Sequence, residues 1–166
     1  PASGLLREIY GMDSRRLTHH GHALRSGRVC EANRVYLLTT VTYQRHPTFQ
    51  DWRLARLLIA EMRRLHDQQL VHSLAWVVMP DHLHWLVQLQ AMPLSKLVLQ
   101  LKSRSAIAIN KARNASGRVW QKGFHDHALR KEEDLTATAR YIVANPLRAG
   151  LVQRVGDYPH WDAIWL

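Results

Sequence analysis

Cysteine is nearly absent from this sequence of 166 residues, which contains Cys30 alone. One cysteine cannot form an internal disulfide, and it excludes both a disulfide framework and a cysteine-rich zinc site. No apolar run approaches the roughly 20 residues needed to span a bilayer, and no signal peptide is visible. The sequence therefore predicts a protein of the reducing cytoplasm with no membrane partner.

Acidic residues are also scarce, and they are unevenly distributed. Asp and Glu number 13 against 23 Lys and Arg, which gives a net charge of +10. No acidic residue occurs between Asp81 and Asp126. The Lys and Arg residues of that stretch are Lys96, Lys102, Arg104, Lys111, Arg113, Arg118 and Lys122. A stretch with charge of one sign indicates a polyanionic partner, either nucleic acid or an anionic membrane surface. A membrane-surface helix would carry bulky aromatic residues, which 94–112 lacks, so we expect nucleic acid.

The length fits one compact domain, and 46% of the residues are hydrophobic, which is ample for a core. Residues 1–34 lack periodicity and mix Gly, Ser, His and Arg. We therefore expect an N-terminal arm over 1–34 and a single domain with a C-terminal tail over 35–166. Met12 is a candidate original start, with 1–11 an addition upstream of it.

The pattern of apolar residues predicts the order strand, helix, strand, strand, helix, strand, helix. The predicted strands cover 35–43, 74–79, 82–89 and 119–129, and the predicted helices cover about 51–69, 94–112 and 132–145. Two copies of a strand–helix–strand unit indicate an α+β, ferredoxin-like fold with a mainly antiparallel central sheet and packed helices. Pro146 disfavours continuation of the third helix, and the tail beyond Gly150 is expected to pack back on the domain.

Three His-x-His pairs occur, namely His20/His22, His82/His84 and His125/His127. Eleven histidines make such pairs common by chance, so their context must distinguish them. Positions i and i+2 of a strand point to the same face, so His82 and His84 would project side by side from the third predicted strand. Two imidazoles on a core strand can form half of a metal site. The alternative is a pair of histidines on a solvated sheet face, and His125/His127 is the second candidate pair.

Tyr141 and Asn145 are four residues apart in the last predicted helix, so their side chains share one helical face. A tyrosine with a carboxamide one turn later, near two paired histidines, is a rarer arrangement than a tyrosine alone and marks this helix as a candidate part of a site. The alternative reading is a tyrosine that packs at a helix surface, with Asn145 capping the helix end.

The motif M-P-D-H-L-H-W-L-V at 79–87, followed by Y-I-V-A-N-P-L-R-A-G-L-V at 141–152, resembles the REP-associated tyrosine transposases of the single-tyrosine HUH superfamily. G-R-V-C at 27–30 and V-W-Q-K-G-F-H-D-H-A-L-R at 119–130 extend the resemblance over roughly 27–152. The sequence departs from the family pattern in the arm, with Cys30 where Ser is expected and Asn33 where Gly is common.

The resemblance implies that His82 and His84 bind a divalent metal, Mg²⁺ or Mn²⁺, and that Tyr141 is the nucleophile. Wider relatives place Gln four residues after the tyrosine as a third ligand, and here that position is Asn145. The implied reaction cleaves and rejoins hairpin-bearing single-stranded DNA through a 5′-phosphotyrosine intermediate, in a nucleoid-associated protein for which a monomer is favoured. The candidate DNA contacts are Arg25, Arg28, Lys102, Arg104, Lys122, Arg130 and Arg148. The alternatives are a non-catalytic single-strand nucleic-acid-binding module, a replication initiator or relaxase with the same motif, and a metal-dependent hydrolase.

Overall fold

The structure, a computed structural model, describes residues 33–130 and 134–165. Its strands are β1 (Val35–Val41), β2 (Val71–Met79), β3 (His82–Leu89), β4 (His125–Ala128) and β5 (Trp161–Ala163). Its α-helices are α1 (Trp52–Asp67), α2 (Leu94–Ala112), α3 (Leu135–Val143) and α4 (Asn145–Arg148). None of the helices in these ranges is long and apolar enough to cross a membrane.

The five strands form one sheet in the order β4-β1-β3-β2-β5, and every neighbouring pair is antiparallel. The first four strands alternate with α1 and α2 as a ferredoxin-like fold requires, which confirms the predicted α+β class. The strand β3 lies at the centre of the sheet, joined to β2 by the tight Pro80–Asp81 turn. A central strand has neighbours on both sides, so side chains on β3 are held more rigidly than those at a sheet edge.

The two faces of the sheet are covered by different helices. Leu83 and Trp85 of β3 are fully buried in the core that α1 and α2 form with one face. Leu86 is buried in a second, smaller core, where Ala139 and Ile142 of α3 pack on the other face. Because side chains alternate along a strand, His82 and His84 share the face of Leu86 and α3.

The fourth strand is shorter than predicted. The sequence indicated a strand over 119–129, but β4 contains four residues, and only an isolated bridge between Trp120 and Thr42 precedes it. Trp120 and Val119 are buried because they pack into the core beneath α1 and α2, which explains their strand-like hydrophobicity. Gly123 has φ 73°, a left-handed conformation that turns the chain between this segment and β4.

The C-terminal part holds two elements that the sequence pattern did not predict. The tail does pack back on the domain, and it does so as a fifth strand paired with β2. The helix with Tyr141 ends at Val143, and a separate four-residue helix begins at Asn145, with Pro146 in its first turn. Pro fits there because the first helical turn does not need its missing N–H. Asp134 caps α3, since its carboxylate accepts hydrogen bonds from the backbone of Thr136 and Ala137.

Several sequence predictions lie outside the described residues. These are most of the predicted arm, including Cys30 and the candidate DNA contacts Arg25 and Arg28, and the acidic residues Glu132 and Glu133 at the start of the third predicted helix.

Candidate active site

The His82 and His84 side chains lie side by side on the α3 face of the sheet. Both are buried, with 9% of His82 and 4% of His84 exposed to solvent. Their ring centroids are 4.8 Å apart and the rings are nearly perpendicular, with an interplanar angle of 82°. The strand alternation predicted this shared face. What fixes each ring is a separate partner, which the spacing alone did not indicate.

The His82 ring is held by the residue directly before it. Its Nδ1 lies 2.5 Å from Oδ1 of Asp81, and Oδ2 of the same carboxylate accepts from Arg45 Nη1 at 2.9 Å. Partial burial raises the pKa of Asp81, but the hydrogen bonds from His82 and Arg45 outweigh it and hold that pKa below its usual value. A carboxylate on one imidazole nitrogen orients the ring and leaves Nε2 as the nitrogen that can bind a metal.

The His84 ring is held from the neighbouring strand. Its Nδ1 lies 2.8 Å from Oγ1 of Thr39, the residue directly opposite it on β1. Burial lowers the pKa of His84 well below its usual value, and the nearby charges of His82 and Arg148 lower it further, whereas Asp81 raises it. His84 is therefore neutral near pH 7, and the neutral imidazole is the form that binds a metal.

Tyr141 lies on α3, half-buried against the smaller core. The guanidinium carbon of Arg148 is 3.9 Å from the centroid of the Tyr141 ring, and Arg148 Nη2 donates to the Tyr141 carbonyl at 2.6 Å. The charge of Arg148 also lowers the pKa of His84, so the arginine that contacts Tyr141 influences the histidine pair as well. The structure thus brings Tyr141, Arg148 and the two histidines to one side of the sheet.

Asn145 makes two hydrogen bonds in this conformation. Its Nδ2 donates to the carbonyl of Ile142 at 2.8 Å, and its Oδ1 accepts from Arg148 Nη2 at 2.8 Å. The first bond stabilises the end of α3, as the capping alternative expects. The second bond occupies one of the two lone pairs of the oxygen that a metal would need and places a positive charge beside it, so Arg148 opposes ligation by Asn145.

On this face, a divalent metal would need ligands of two kinds, imidazole nitrogen and amide oxygen. Within 33–130 and 134–165, no group of three or more His, Cys, Asp or Glu side chains could hold a metal ion. Two Nε2 atoms from His82 and His84 would need a ligand such as the amide oxygen of Asn145 to make a three-point donor set of nitrogen and oxygen. Such a set accepts Mn²⁺ and, less readily, Mg²⁺, and it leaves positions for phosphate and water.

The second histidine pair lies on the same face as the first. Thr39 is paired with His84 on one side and with His125 of β4 on the other, and directly paired residues point to the same face. His127 is paired with Leu37 and therefore also points to that face. One strand, β1, separates this pair from His82 and His84, a relationship that only the strand register reveals.

The candidate DNA contacts are divided between the two faces. Lys102 and Arg104 lie on α2, which covers the face opposite the histidines. Lys102 Nζ donates to the carbonyls of Gln121 (2.8 Å) and Gly123, and Arg104 Nε lies 3.0 Å from the carboxylate of the buried Glu61. These two side chains therefore support the fold and are not gathered around the histidine pair.

The other candidates in the described residues are next to β4 or on α4. Lys122 precedes β4 in the chain and Arg130 follows it, and both side chains are exposed. The two histidines of β4 point to the same face of the sheet as His84. Arg148 is exposed and contacts Tyr141. Of the candidates in the described ranges, Arg148 is the one that the structure places beside the proposed nucleophile.

Comparison with known proteins shows what this arrangement resembles. Residues 31–145 match the family described as "Transposase IS200 like". A Haemophilus influenzae protein named as a REP-associated tyrosine transposase is 29% identical over 117 residues, covering 61% of this chain and 66% of that protein. An Escherichia coli K12 REP-associated tyrosine transposase is 32% identical over 87 residues, covering 51% of this chain and 50% of that protein. The chain thus matches about two thirds and about half of the lengths of these curated relatives.

The fold has a counterpart among solved structures. A REP-associated tyrosine transposase bound to a REP hairpin superposes with a TM-score of 0.67 at 23% sequence identity. The match covers 81% of this chain and 79% of the other. At this level of sequence identity, the comparison shows that the two proteins share a fold.

Proposed function

The chain belongs to the family of IS200-like transposases, and from this premise we propose that it cleaves and rejoins single-stranded DNA with Tyr141 as nucleophile. The family match confirms the resemblance that the ordered motifs indicate. One observation carries the proposal. Two buried imidazoles, each fixed through Nδ1, lie on the sheet face that is covered by the helix bearing Tyr141.

The metal would be held by His82, His84 and Asn145. A divalent cation bound there would offset the negative charge of a phosphodiester and orient its phosphorus for in-line attack. The protein residues prepare the site. Asp81 and Thr39 hold the two imidazoles in fixed orientations, so little reorganisation is needed when the ligands bind.

The cleavage step exchanges one phosphoester bond for another. The phenol oxygen of Tyr141 loses its proton and bonds to phosphorus, and the bond from phosphorus to the 3′ oxygen breaks. That oxygen takes up a proton and leaves as a free 3′-OH, while the DNA 5′ end remains attached to Tyr141. The energy of the phosphoester is kept, so a second 3′-OH can reverse the step and join strands.

We propose hairpin-bearing single-stranded DNA as the substrate. Two observations support it, the net charge of +10 and the relative with the same fold that was solved with a REP hairpin. Arg148 suits a phosphate contact because its planar guanidinium can donate two parallel hydrogen bonds to phosphate oxygens. A monomer remains our prediction for the oligomeric state.

The test is covalent capture of DNA. Wild type, incubated with labelled single-stranded hairpin DNA and Mn²⁺, should give a denaturant-resistant adduct, and Tyr141→Phe should give none. Tyr158→Phe is the matched control, since it removes a tyrosine hydroxyl whose hydrogen bond to the Val78 carbonyl joins the C-terminal segment to β2. An adduct of equal yield from Tyr141→Phe would exclude Tyr141 as the nucleophile. Binding without any adduct would instead favour the non-catalytic module.

A further inference from the structure

Two aromatic side chains are exposed between the end of β1 and the first residue of α1. This stretch, residues Thr42–Trp52, is here called the aromatic loop. Trp52 is 57% exposed and Tyr43 is 39% exposed. Each ring has an arginine over it. The guanidinium of Arg56 is 6.0 Å from the Trp52 ring centroid, and that of Arg118 is 5.7 Å from the Tyr43 ring centroid. Exposed aromatic surface costs free energy in water, so a paired aromatic and cationic surface indicates a binding role.

The aromatic loop is attached to the turn that leads into His82. The backbone N–H of Thr42 donates to the Asp81 carbonyl, and that of Phe49 donates to the Pro80 carbonyl, both at 2.9 Å. Arg45 bonds the same Asp81 carboxylate that orients His82. The aromatic loop therefore lies at the end of the sheet that carries the histidine pair.

The backbone of this loop is held in an uncommon conformation. Gln44 and Arg45 both have φ 52°, in the left-handed region that residues with a Cβ seldom adopt. Such conformations persist where surrounding contacts fix them, and they are concentrated at binding and catalytic sites. Here the fixing contacts are the bonds to the Pro80–Asp81 turn, so the loop presents its rings from a rigid base.

The chemistry of this surface matches unpaired bases. Every base has a π-face that can stack on an aromatic ring whatever its sequence, and an adjacent arginine adds attraction to the strand. Tyr, Trp and Arg are also common at protein interfaces, but the net charge of +10 favours a polyanionic partner over another protein. The segment 82–125, which includes Arg118, contains no acidic residue that would repel DNA.

We propose that Tyr43 and Trp52 form a stacking platform for the bases of single-stranded DNA at the end of the sheet where β3 begins. The proposal rests on the function proposed above, because it takes single-stranded DNA as the ligand. Stacking at these two positions would hold the strand where it enters or leaves the histidine pair, and it would favour unpaired over duplex DNA.

The test measures binding of a fluorescein-labelled oligothymidylate by anisotropy, over a range of salt concentrations. Trp52→Ala and Tyr43→Ala should each weaken binding by about tenfold, the loss expected for one stacked base. The slope of log affinity against log salt should stay unchanged, because no phosphate contact is lost. Trp52→Phe and Tyr43→Phe keep a ring and should retain most of the affinity, which shows that the Ala variants lose stacking and not folding.

Trp165→Ala is the matched control. Trp165 is 38% exposed and follows Ile164, whose N–H bonds the Leu74 carbonyl in the half of β2 away from the Pro80–Asp81 turn. Unchanged affinity in both loop Ala variants would overturn the platform, and so would an equal loss in Trp165→Ala. If the wild-type protein binds no oligothymidylate and forms no covalent adduct, both the stacking platform and the proposed function are wrong. If wild type forms the adduct and the loop variants bind normally, only the platform fails.

Discussion

Removal of the Arg148 side chain should strengthen metal binding in the absence of DNA. In the structure Arg148 donates at 2.8 Å to Oδ1 of Asn145, the oxygen proposed as the third metal ligand. This hydrogen bond and the positive charge of the guanidinium compete with a metal for that oxygen. A phosphate group is the natural competitor for the guanidinium, so DNA binding would release Asn145 and complete the metal site. Metal and DNA should then bind cooperatively, each raising the affinity of the other by the same factor.

The magnitude follows from one exposed hydrogen bond. A bond to a charged group can contribute up to about 3 kcal/mol, but Arg148 is exposed to solvent, which reduces the net value to about 1 kcal/mol. That free energy corresponds to about a fivefold change in a dissociation constant. Arg148→Ala should therefore lower the dissociation constant for Mn²⁺ about fivefold without DNA, and it should reduce the gain that DNA produces in the wild-type protein.

Calorimetric titration with Mn²⁺ provides the assay, in a Tyr141→Phe background that prevents turnover. Loss of a positive charge could by itself favour a cation, so the titration is repeated with Asn145→Ala. If the gain arises from release of the amide oxygen, Arg148→Ala should give none in the Asn145→Ala background. Arg154→Ala, which removes an exposed arginine paired with Asp157, controls for net charge. An unchanged constant in Arg148→Ala, or an equal gain with and without Asn145, would refute the reasoning.

Two further predictions concern the histidine pair. Asp81→Ala removes the carboxylate that orients His82. Loss of a residue that hydrogen-bonds a metal-binding histidine typically weakens metal affinity by about 10- to 100-fold, so we expect a loss of that size for Mn²⁺. Asp157→Ala, which removes a carboxylate elsewhere on the surface, should leave the titration unchanged. His84 should make stability dependent on pH, because its folded pKa lies well below the unfolded value of 6.5. The unfolded chain then takes up the proton first, so this contribution is complete above pH 6.5 and is lost as pH falls from there towards the folded pKa, by at most about 1.4 kcal/mol per pH unit. Thermal melts should show this loss in the wild-type protein and a flatter profile in His84→Gln, and parallel profiles would contradict the assignment to His84.

The parts of the structure that depend on local pattern were predictable from the sequence. The bounds of β3 and α2 agree with the prediction, because the alternation that begins β3 and the regular helical stripe of α2 each indicate an element without tertiary contacts. The short β4 was overestimated because Val119 and Trp120 are apolar for a different reason, their burial beneath α1 and α2. The fifth strand has only three residues, too few to produce a period.

The candidate site was predictable only in part. The shared face of His82 and His84 follows from their spacing, but Thr39 could be identified as a partner only from the register of β1 against β3. Lys102 and Arg104 were selected by charge, which does not indicate a face. The apolar residues of β3 that point away from the histidines do indicate the face on which these two side chains lie. The helix α2 must cover those apolar residues, so it lies on the face opposite the histidine pair.

The two cores of the molecule position different parts of the candidate site. The larger core fixes the sheet, and with it the positions of the two histidines. The smaller core attaches α3 and so positions Tyr141 relative to them. A substitution in the larger core can therefore change the positions of the histidines as well as the stability of the protein, whereas a one-methylene change at Ala139 or Ile142 acts on the position of Tyr141. Both of these side chains are fully buried, so such a change should also lower the free energy of unfolding by about 1 kcal/mol. Its signature would be a fall in the cleavage rate that persists after the rate is corrected for the fraction of folded protein.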